Sequence, residues 1–183
     1  MVKKVKLKKY DNSWYNPGNS TKRFLWYFVN ELVLKNTFIP FSFLRKFLLK
    51  IFGAKIGSGV ILKPGINIKY PWHLKIGDNC WIGENVWIDN LSQVTIKSDV
   101  CLSQGAMLLC GNHNYKRATF DLVLEPIIIE SGAWLGAKTI ICPGVTIGSH
   151  SVLTAGSVAT KDLESFAIYK GNPALKIKNR IIN

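Results

Sequence analysis

The chain holds 183 residues, 48% of them hydrophobic, which is one domain's length with ample material for a core. Net charge is +13 and uneven: residues 1–50 carry eleven Lys/Arg against Asp11 and Glu31, so 11 − 2 = +9, and the remainder adds +4. No nucleic-acid reader motif accompanies this basic arm, and Cys80, Cys101, Cys110 and Cys142 form no C-x-x-C pair, so neither nucleic acid nor a metal is expected as a partner.

In chain order, the basic start Met1–Tyr10 is not followed at once by an apolar run, so a cleaved signal is not expected. Residues 24–34 and 38–52 are rich in aliphatic and aromatic side chains but are interrupted by Glu31, Lys35, Pro40, Arg45 and Lys46. No uninterrupted stretch reaches the length of a bilayer span. Two short helices are expected, with Pro40 near the start of the second. The segment 1–50 is expected to cap the open end of the repeat array that begins at residue 51, whose edge is an unpaired ladder. Basic and aromatic helices also suit a peripheral contact with an anionic membrane surface, and the two roles are compatible.

From residue 51 the sequence takes up a six-residue beat. Ile76, Ile82, Ile88, Ile96, Leu102 and Leu108 open successive units, with a fainter start at Ile51, Ile56, Leu62 and Ile68. After an interruption the beat resumes at Ile129, Leu135, Ile141, Ile147 and Leu153, with small residues at the fifth places such as Ala133, Thr139 and Ser151. Neither the 3.6 period of a helix nor the 2 of a strand gives this. A triangular coil does, with one hexad per flat side and three hexads per turn. The expected fold is therefore an all-β solenoid over 51–164, of about six coils spaced about 4.8 Å apart, with a tail at 165–183. Two steps of eight residues, Ile68 to Ile76 and Ile88 to Ile96, imply bulges at corners. The aliphatic openers must point inward and stack, because each side alone buries too little. The cysteines read as small buried hydrophobes in a reducing cytosol.

The beat stops over residues 111–126, which contain His113. A long loop leaving a regular solenoid points to function or to a subunit contact. Gly111 and Asn112 precede His113 at the root of that loop, where an imidazole can face outward and serve as a general base. His73 and His150, at corners, read as structural.

Cys110-Gly-Asn-His-Asn-Tyr, Ala133-Trp-Leu-Gly-Ala, Pro143-Gly-Val-Thr-Ile-Gly, Ala155-Gly-Ser-Val-Ala-Thr-Lys-Asp and Gly171-Asn-Pro-Ala resemble the hexapeptide-repeat acetyltransferases. Tyr10-Asp-Asn-Ser, Phe52-Gly-Ala-Lys-Ile-Gly, Ile68-Lys-Tyr-Pro-Trp and Trp87-Ile-Asp-Asn-Leu resemble the colanic acid biosynthesis branch of that family. The resemblance implies a left-handed parallel β-helix assembled as a homotrimer, with active sites between subunits. It implies a cytoplasmic O-acetyltransferase that uses acetyl-CoA on a sugar hydroxyl, as in a surface polysaccharide or its precursor. His113 matches the catalytic histidine, and Asp89 falls where related enzymes keep a polar residue beside the acceptor. Asp121 and Glu125 are weaker candidates for orienting His113. For CoA, the resemblance carries over Trp134, Ala137 and Ala155 along the pantetheine arm, and Thr160 and Lys161 near the nucleotide. The family often has Arg or Lys directly after Asn-Pro-Ala; here Leu175 stands there, which leaves Lys178 as the phosphate contact of the tail.

Three rivals are weighed against this reading. A zinc carbonic anhydrase on the same fold needs converging histidines with a close pair, which His73, His113 and His150 lack. A non-catalytic scaffold has no reason to bind acetyl-CoA. An acyltransferase taking a longer acyl chain from a carrier protein also uses a histidine on this fold.

Overall fold

Strands of mostly two or three residues, turned through roughly a third of a circle each time, wind residues 55–170 into a parallel β-solenoid. A computed structural model describes residues 4–183, so the first three residues of the basic arm lie outside the described residues. The first face carries β1 (Lys55–Ile56), β4 (Leu74–Ile76), β7 (Val94–Ile96), β12 (Ile127–Ile129) and β15 (Thr146–Ile147). The second carries β2 (Ile61–Leu62), β5 (Trp81–Ile82), β8 (Cys101–Leu102), β13 (Trp134–Leu135), β16 (Val152–Leu153), β18 (Ala167–Lys170) and β19 (Leu175–Asn179). The third carries β3 (Asn67–Ile68), β6 (Trp87–Asp89), β9 (Met107–Leu109), β14 (Ile140–Ile141) and β17 (Val158–Ala159). A separate hairpin pairs β10 (Gly111–His113) with β11 (Leu122–Leu124).

The inward aliphatics fall into three columns. Ile56, Ile76, Ile96, Ile129 and Ile147 are register partners on the first face. Leu62, Ile82, Leu102, Leu135 and Leu153 are partners on the second. Ile68, Ile88, Leu108, Ile141 and Ala159 complete the third. All fifteen are buried. Each meets its neighbours about 4.8 Å above and below, so a coil is stable only as part of the stack. The small fifth residues Cys80, Ala106, Ala133, Thr139, Ser151 and Ser157 are buried at the corners. Corner geometry demands left-handed backbone, supplied by Asn79 and Asn85 at φ 56° and 58° and by glycines such as Gly59 at φ +65°.

Three readings from the sequence need correction. Ile51 is not a first rung: it ends the helix Ser42–Ile51 and stands exposed, five residues rather than six before the true rung Ile56. The coils continue past residue 164, since Leu163 bridges to Ile147 and β18 adds a sixth rung to the second face. Cys101 and Cys142 are only half-buried, beside the inward Leu102 and Ile141, whereas Cys80 and Cys110 are fully buried.

Helices α1 (Ser20–Val29) and α2 (Ser42–Ile51), joined through a π-helical turn at Asn30–Leu34, close the first coil. Asn19 caps α1 by accepting from the Lys22 amide. The helices meet the open ladder with side-chain partners. Trp26 Nε1 donates to the Ile68 carbonyl at 2.9 Å, Asn30 Oδ1 accepts from the Ile68 amide at 3.3 Å, and Ser42 Oγ accepts from the Leu62 amide at 2.9 Å. Buried Leu34 and Leu49 add apolar contact, and buried Arg45 donates to the carbonyls of Asn36 and Ile39 in the turn between the helices. Trp26 is 2% exposed and removes both packing and a hydrogen bond when truncated. Trp26→Ala is therefore expected to lower the unfolding free energy in urea by about 3–5 kcal/mol; a loss below about 1 kcal/mol would show the first coil to be stable uncapped.

Candidate active site

One corner of the prism collects every irregularity of the coils. It lies where the chain passes from the third face to the first. Residues 69–73 depart there between β3 and β4, residues 90–93 between β6 and β7, and residues 110–126 between β9 and β12. The expected eight-residue steps and the His113 loop are thus stacked on one edge. Residues 6–18 run along the same edge. The Lys6 amide donates to the Ala118 carbonyl at 2.8 Å, Tyr15 Oη donates to the Leu91 carbonyl at 2.7 Å, and Gly18 lies against the Trp72 indole. Burial, with the nearby Tyr70 and Asp89, pushes the Tyr15 phenol upward, so it remains a donor.

The interruption at 111–126 is a hairpin rather than an irregular loop. Gly111, Asn112 and His113 pair antiparallel with Leu124, Val123 and Leu122. The turn brings Phe120, at φ 53°, back over the histidine, and the two rings stack at 4.3 Å with planes 7° apart. His113 Nδ1 lies 2.9 Å from the Phe120 carbonyl oxygen. A carbonyl only accepts, so Nδ1 carries the proton and Nε2 presents a free lone pair. Tyr10 approaches the same imidazole at 5.6 Å between ring centroids. Leu7, Tyr10, His113 and Phe120 line an open cavity of about 390 Å³.

Neither acidic candidate of the hairpin orients the ring. Asp121 pairs with Arg117 at 2.9 Å, and Glu125 lays its carboxylate over Gly144 on the next coil. Backbone does that work, which no side-chain pattern reveals. Tyr10 belongs to a motif that the sequence singles out, but its partner lies in a distant hairpin. His73 Nδ1 sits 3.3 Å from the Asn90 carbonyl, and His150 stacks on Phe166, so the other two histidines are tied to corners. Among the described residues no group of three His, Cys, Asp or Glu gathers as a metal site.

Asp89 ends β6 at this corner, one coil before His113. Its carbonyl accepts from the Cys110 amide at 3.2 Å, which ties it to the root of the hairpin. The carboxyl is half-buried, and desolvation raises its pKa although neighbouring Lys69 opposes the shift. Cys110, beside it, has its thiol pushed up to about 12 by burial and is no thiolate nucleophile. Next to Asp89, between α1 and the third face, lies a cavity of about 310 Å³. Its walls include Arg23, Tyr27, Glu31, Asn67, Lys69 and Trp87, a mixture of aromatic faces and hydrogen-bonding groups. Asp89 does not itself line this cavity, and the sequence alone assigns its lining residues no role.

A second groove, about 360 Å³, runs along the opposite side of the prism. Trp134, Ala137 and Ala155 line it together with Ser103, Gly136 and Thr154. Trp134 Nε1 donates to Ser103 Oγ at 2.9 Å, which fixes the indole along the groove wall. Lys178 continues the outward column of Trp134, through register partners Val152 and Ile168, on the last strand. Three strand spacings separate them, about 14 Å. Thr160 and Lys161 follow β17 and lie instead at the His113 corner, two coils further along. A single chain thus brings Trp134, Ala137 and Ala155 together and leaves Thr160 and Lys161 on the other side.

Comparison with known proteins places this geometry. Residues 126–161 match the model of the bacterial transferase hexapeptide (six repeats). The chain is 35% identical over 167 residues to the provisionally named colanic acid biosynthesis acetyltransferase WcaF of Escherichia coli K12, covering 91% of this chain and 92% of that protein. The chain belongs to the hexapeptide-repeat acetyltransferases. It is also 31% identical over 137 residues to the galactoside O-acetyltransferase of Escherichia coli K12, covering 73% of this chain and 68% of the relative. The fold matches the hexapeptide-repeat acetyltransferase VCA0836 of Vibrio cholerae in complex with acetyl-coenzyme A, with TM-score 0.79, 23% identity and 88% of each chain covered. The solenoid is accordingly that of the left-handed β-helix acetyltransferases.

The raised pKa of Asp89 carries a stability consequence. A carboxyl whose folded value lies above its unfolded one is favoured when protonated, so its penalty is absent below the ordinary range near 4 and grows as pH rises from there through the folded value. Asp89→Asn removes that charge at constant shape. The variant is expected to melt at a higher temperature than the parent at pH 7 and at an equal temperature near pH 3, read by calorimetry at both values; a lower melting temperature at pH 7 would mean the carboxylate is stabilised by its surroundings.

Proposed function

We propose that the protein transfers the acetyl group of acetyl-CoA to a hydroxyl of a sugar, within a surface polysaccharide or its precursor. The observation that carries the reading is the bond between His113 Nδ1–H and the Phe120 carbonyl, which leaves Nε2 free as a base on a residue that lines an open cavity. In the proposed step Nε2 takes the hydroxyl proton as the sugar oxygen attacks the thioester carbonyl carbon. The C–S bond breaks, and the imidazolium returns its proton to the departing thiolate, giving an acetyl ester and free CoA. No residue is acylated. Backbone N–H groups would hold the oxyanion.

The acceptor is assigned to the cavity beside Asp89. Trp87 and Tyr27 offer apolar ring faces to a sugar, while Asn67, Arg23 and Lys69 offer polar partners for its hydroxyls. The pantetheine arm is assigned to the Trp134 groove, where Ala137 and Ala155 leave room for it. His113 and Trp134 line different cavities on one chain. We therefore infer a homotrimer in which the His113 corner of one protomer meets the Trp134 groove of the next. That pairing also lets Thr160 and Lys161 of one subunit and Lys178 of another approach the nucleotide phosphates. Acetyl-CoA as donor places the reaction in the cytoplasm, and an acceptor carried on a lipid would place it at the inner face of the membrane.

His113→Ala is expected to reduce kcat by about 10²–10⁴-fold with circular dichroism and the number of subunits per particle unchanged, measured by thiol release with a panel of glycan acceptors. Near-full turnover would refute the base assignment, and an intact biological role without turnover would favour a scaffold. Trp134→Ala is expected to raise KM for acetyl-CoA several-fold with a smaller change in kcat. A change confined to the acceptor KM would place CoA elsewhere, and preference for a long-chain acyl donor over acetyl-CoA would replace acetyl transfer with acyl transfer from a carrier.

A further inference from the structure

The capping helices are apolar on two sides. Trp26, Leu34 and Leu49 face the coils and are buried. The opposite sides carry Phe24, Phe28 and Leu32 at i, i+4, i+8 in and beyond α1, and Phe43, Phe47 and Ile51 at the same spacing in α2, all exposed. Phe38, in the turn between them, is 94% exposed and Phe43 is 67% exposed. The inner stripe alone suffices to close the first coil, so the outer stripes have no role within the chain. A patch of this extent on a folded domain marks a contact surface.

Charge tells what it contacts. Residues 32–77, which span α2 and the first coils, hold eight Lys/Arg and no Asp or Glu; of these Arg45 is buried and Lys35 pairs with Glu31. Lys46, Lys50, Lys55 and Lys63 are among them, and they take part in none of the ion pairs among the described residues. Two copies of such a face repel one another, which disfavours self-association through it. No helix is long and apolar enough to cross a membrane. Short helices with an aromatic stripe flanked by lysines fit a bilayer interface, with rings in the acyl boundary and ammonium groups among phosphates.

We propose that the outer faces of α1 and α2, with the lysines of α2 and the first coil, form a docking surface for an anionic lipid bilayer. The prism then stands on the membrane by its capped end. The inference goes beyond the transferase reading and does not depend on it, because its readout is binding alone.

The test is co-sedimentation of the full chain with vesicles of phosphatidylcholine alone or with added phosphatidylglycerol, at low and high salt. Binding to the anionic vesicles is expected, falling as salt rises, with little binding to the neutral ones. Lys46→Gln with Lys50→Gln is expected to weaken it about fivefold per lysine. Phe38→Ser with Phe43→Ser is expected to weaken it about tenfold or more, with melting temperature and the number of subunits per particle unchanged. Equal binding by parent and both double variants would overturn the proposal, as would equal binding to neutral and anionic vesicles. A fall in the mass of the assembly in the Phe variant would overturn it in favour of a contact between copies of this chain.

Discussion

A side of two strand residues buries almost nothing alone, and the whole molecule is shaped by that constraint. Each inward aliphatic is covered only when a like residue sits one coil above and one below, so Ile96 needs both Ile76 and Ile129. Regularity is then enforced along most of the chain, because a single displaced rung would expose its neighbours on both sides. Deviations are tolerated only where they leave the three columns intact. They are confined to corners, and the larger ones to a single corner.

That confinement explains why the candidate site is where it is. Extra residues at 69–73, 90–93 and 110–126 emerge on one edge without disturbing Ile68, Ile88 or Leu108. Stacked insertions build a wall that a uniform prism lacks, and residues 6–18 add a second layer along it. The hairpin has strand pairing of its own, so His113 is held by a small rigid element rather than by a mobile loop. Its ring is fixed on one side by stacking with Phe120 and on one edge by a backbone carbonyl. The desolvated carboxyl of Asp89 shows the opposite bargain, a charge kept in an unfavourable place beside the cavity.

How much of this the amino-acid order discloses depends on whether a feature repeats. The rungs from Ile56 to Leu153 are readable because period six has no competitor among local structures, and the corners because Asn and Gly recur where the backbone turns left-handed. Ile51 misleads because one aliphatic just ahead of a periodic run is easily counted with it, although it stands five residues rather than six before Ile56. The hairpin is not periodic, so its pairing and the return of Phe120 over His113 are hidden. A carbonyl acceptor has no letter in the sequence, which is why acidic neighbours look like better orienters than they are. Tyr10 and Arg23 reach the corner through tertiary packing of a segment whose composition suggests only a basic cap. Trp134, Ala137 and Ala155, by contrast, lie on adjacent coils, and their common groove is a product of the repeat itself.

The last strand has a bearing on solubility. A stack of coils has no intrinsic length, and two such prisms meeting end to end would continue each other's sheets into a filament. At one end the helices stand in the way. At the other, β19 folds back antiparallel on β18, reversing the direction that an incoming parallel strand would have to match. Lys178 on that strand puts positive charge on the outermost rung, while Lys176 ties it to Glu164 at 2.6 Å. Terminating the ladder with a reversed, cationic strand keeps a fibre-forming architecture in the form of discrete particles.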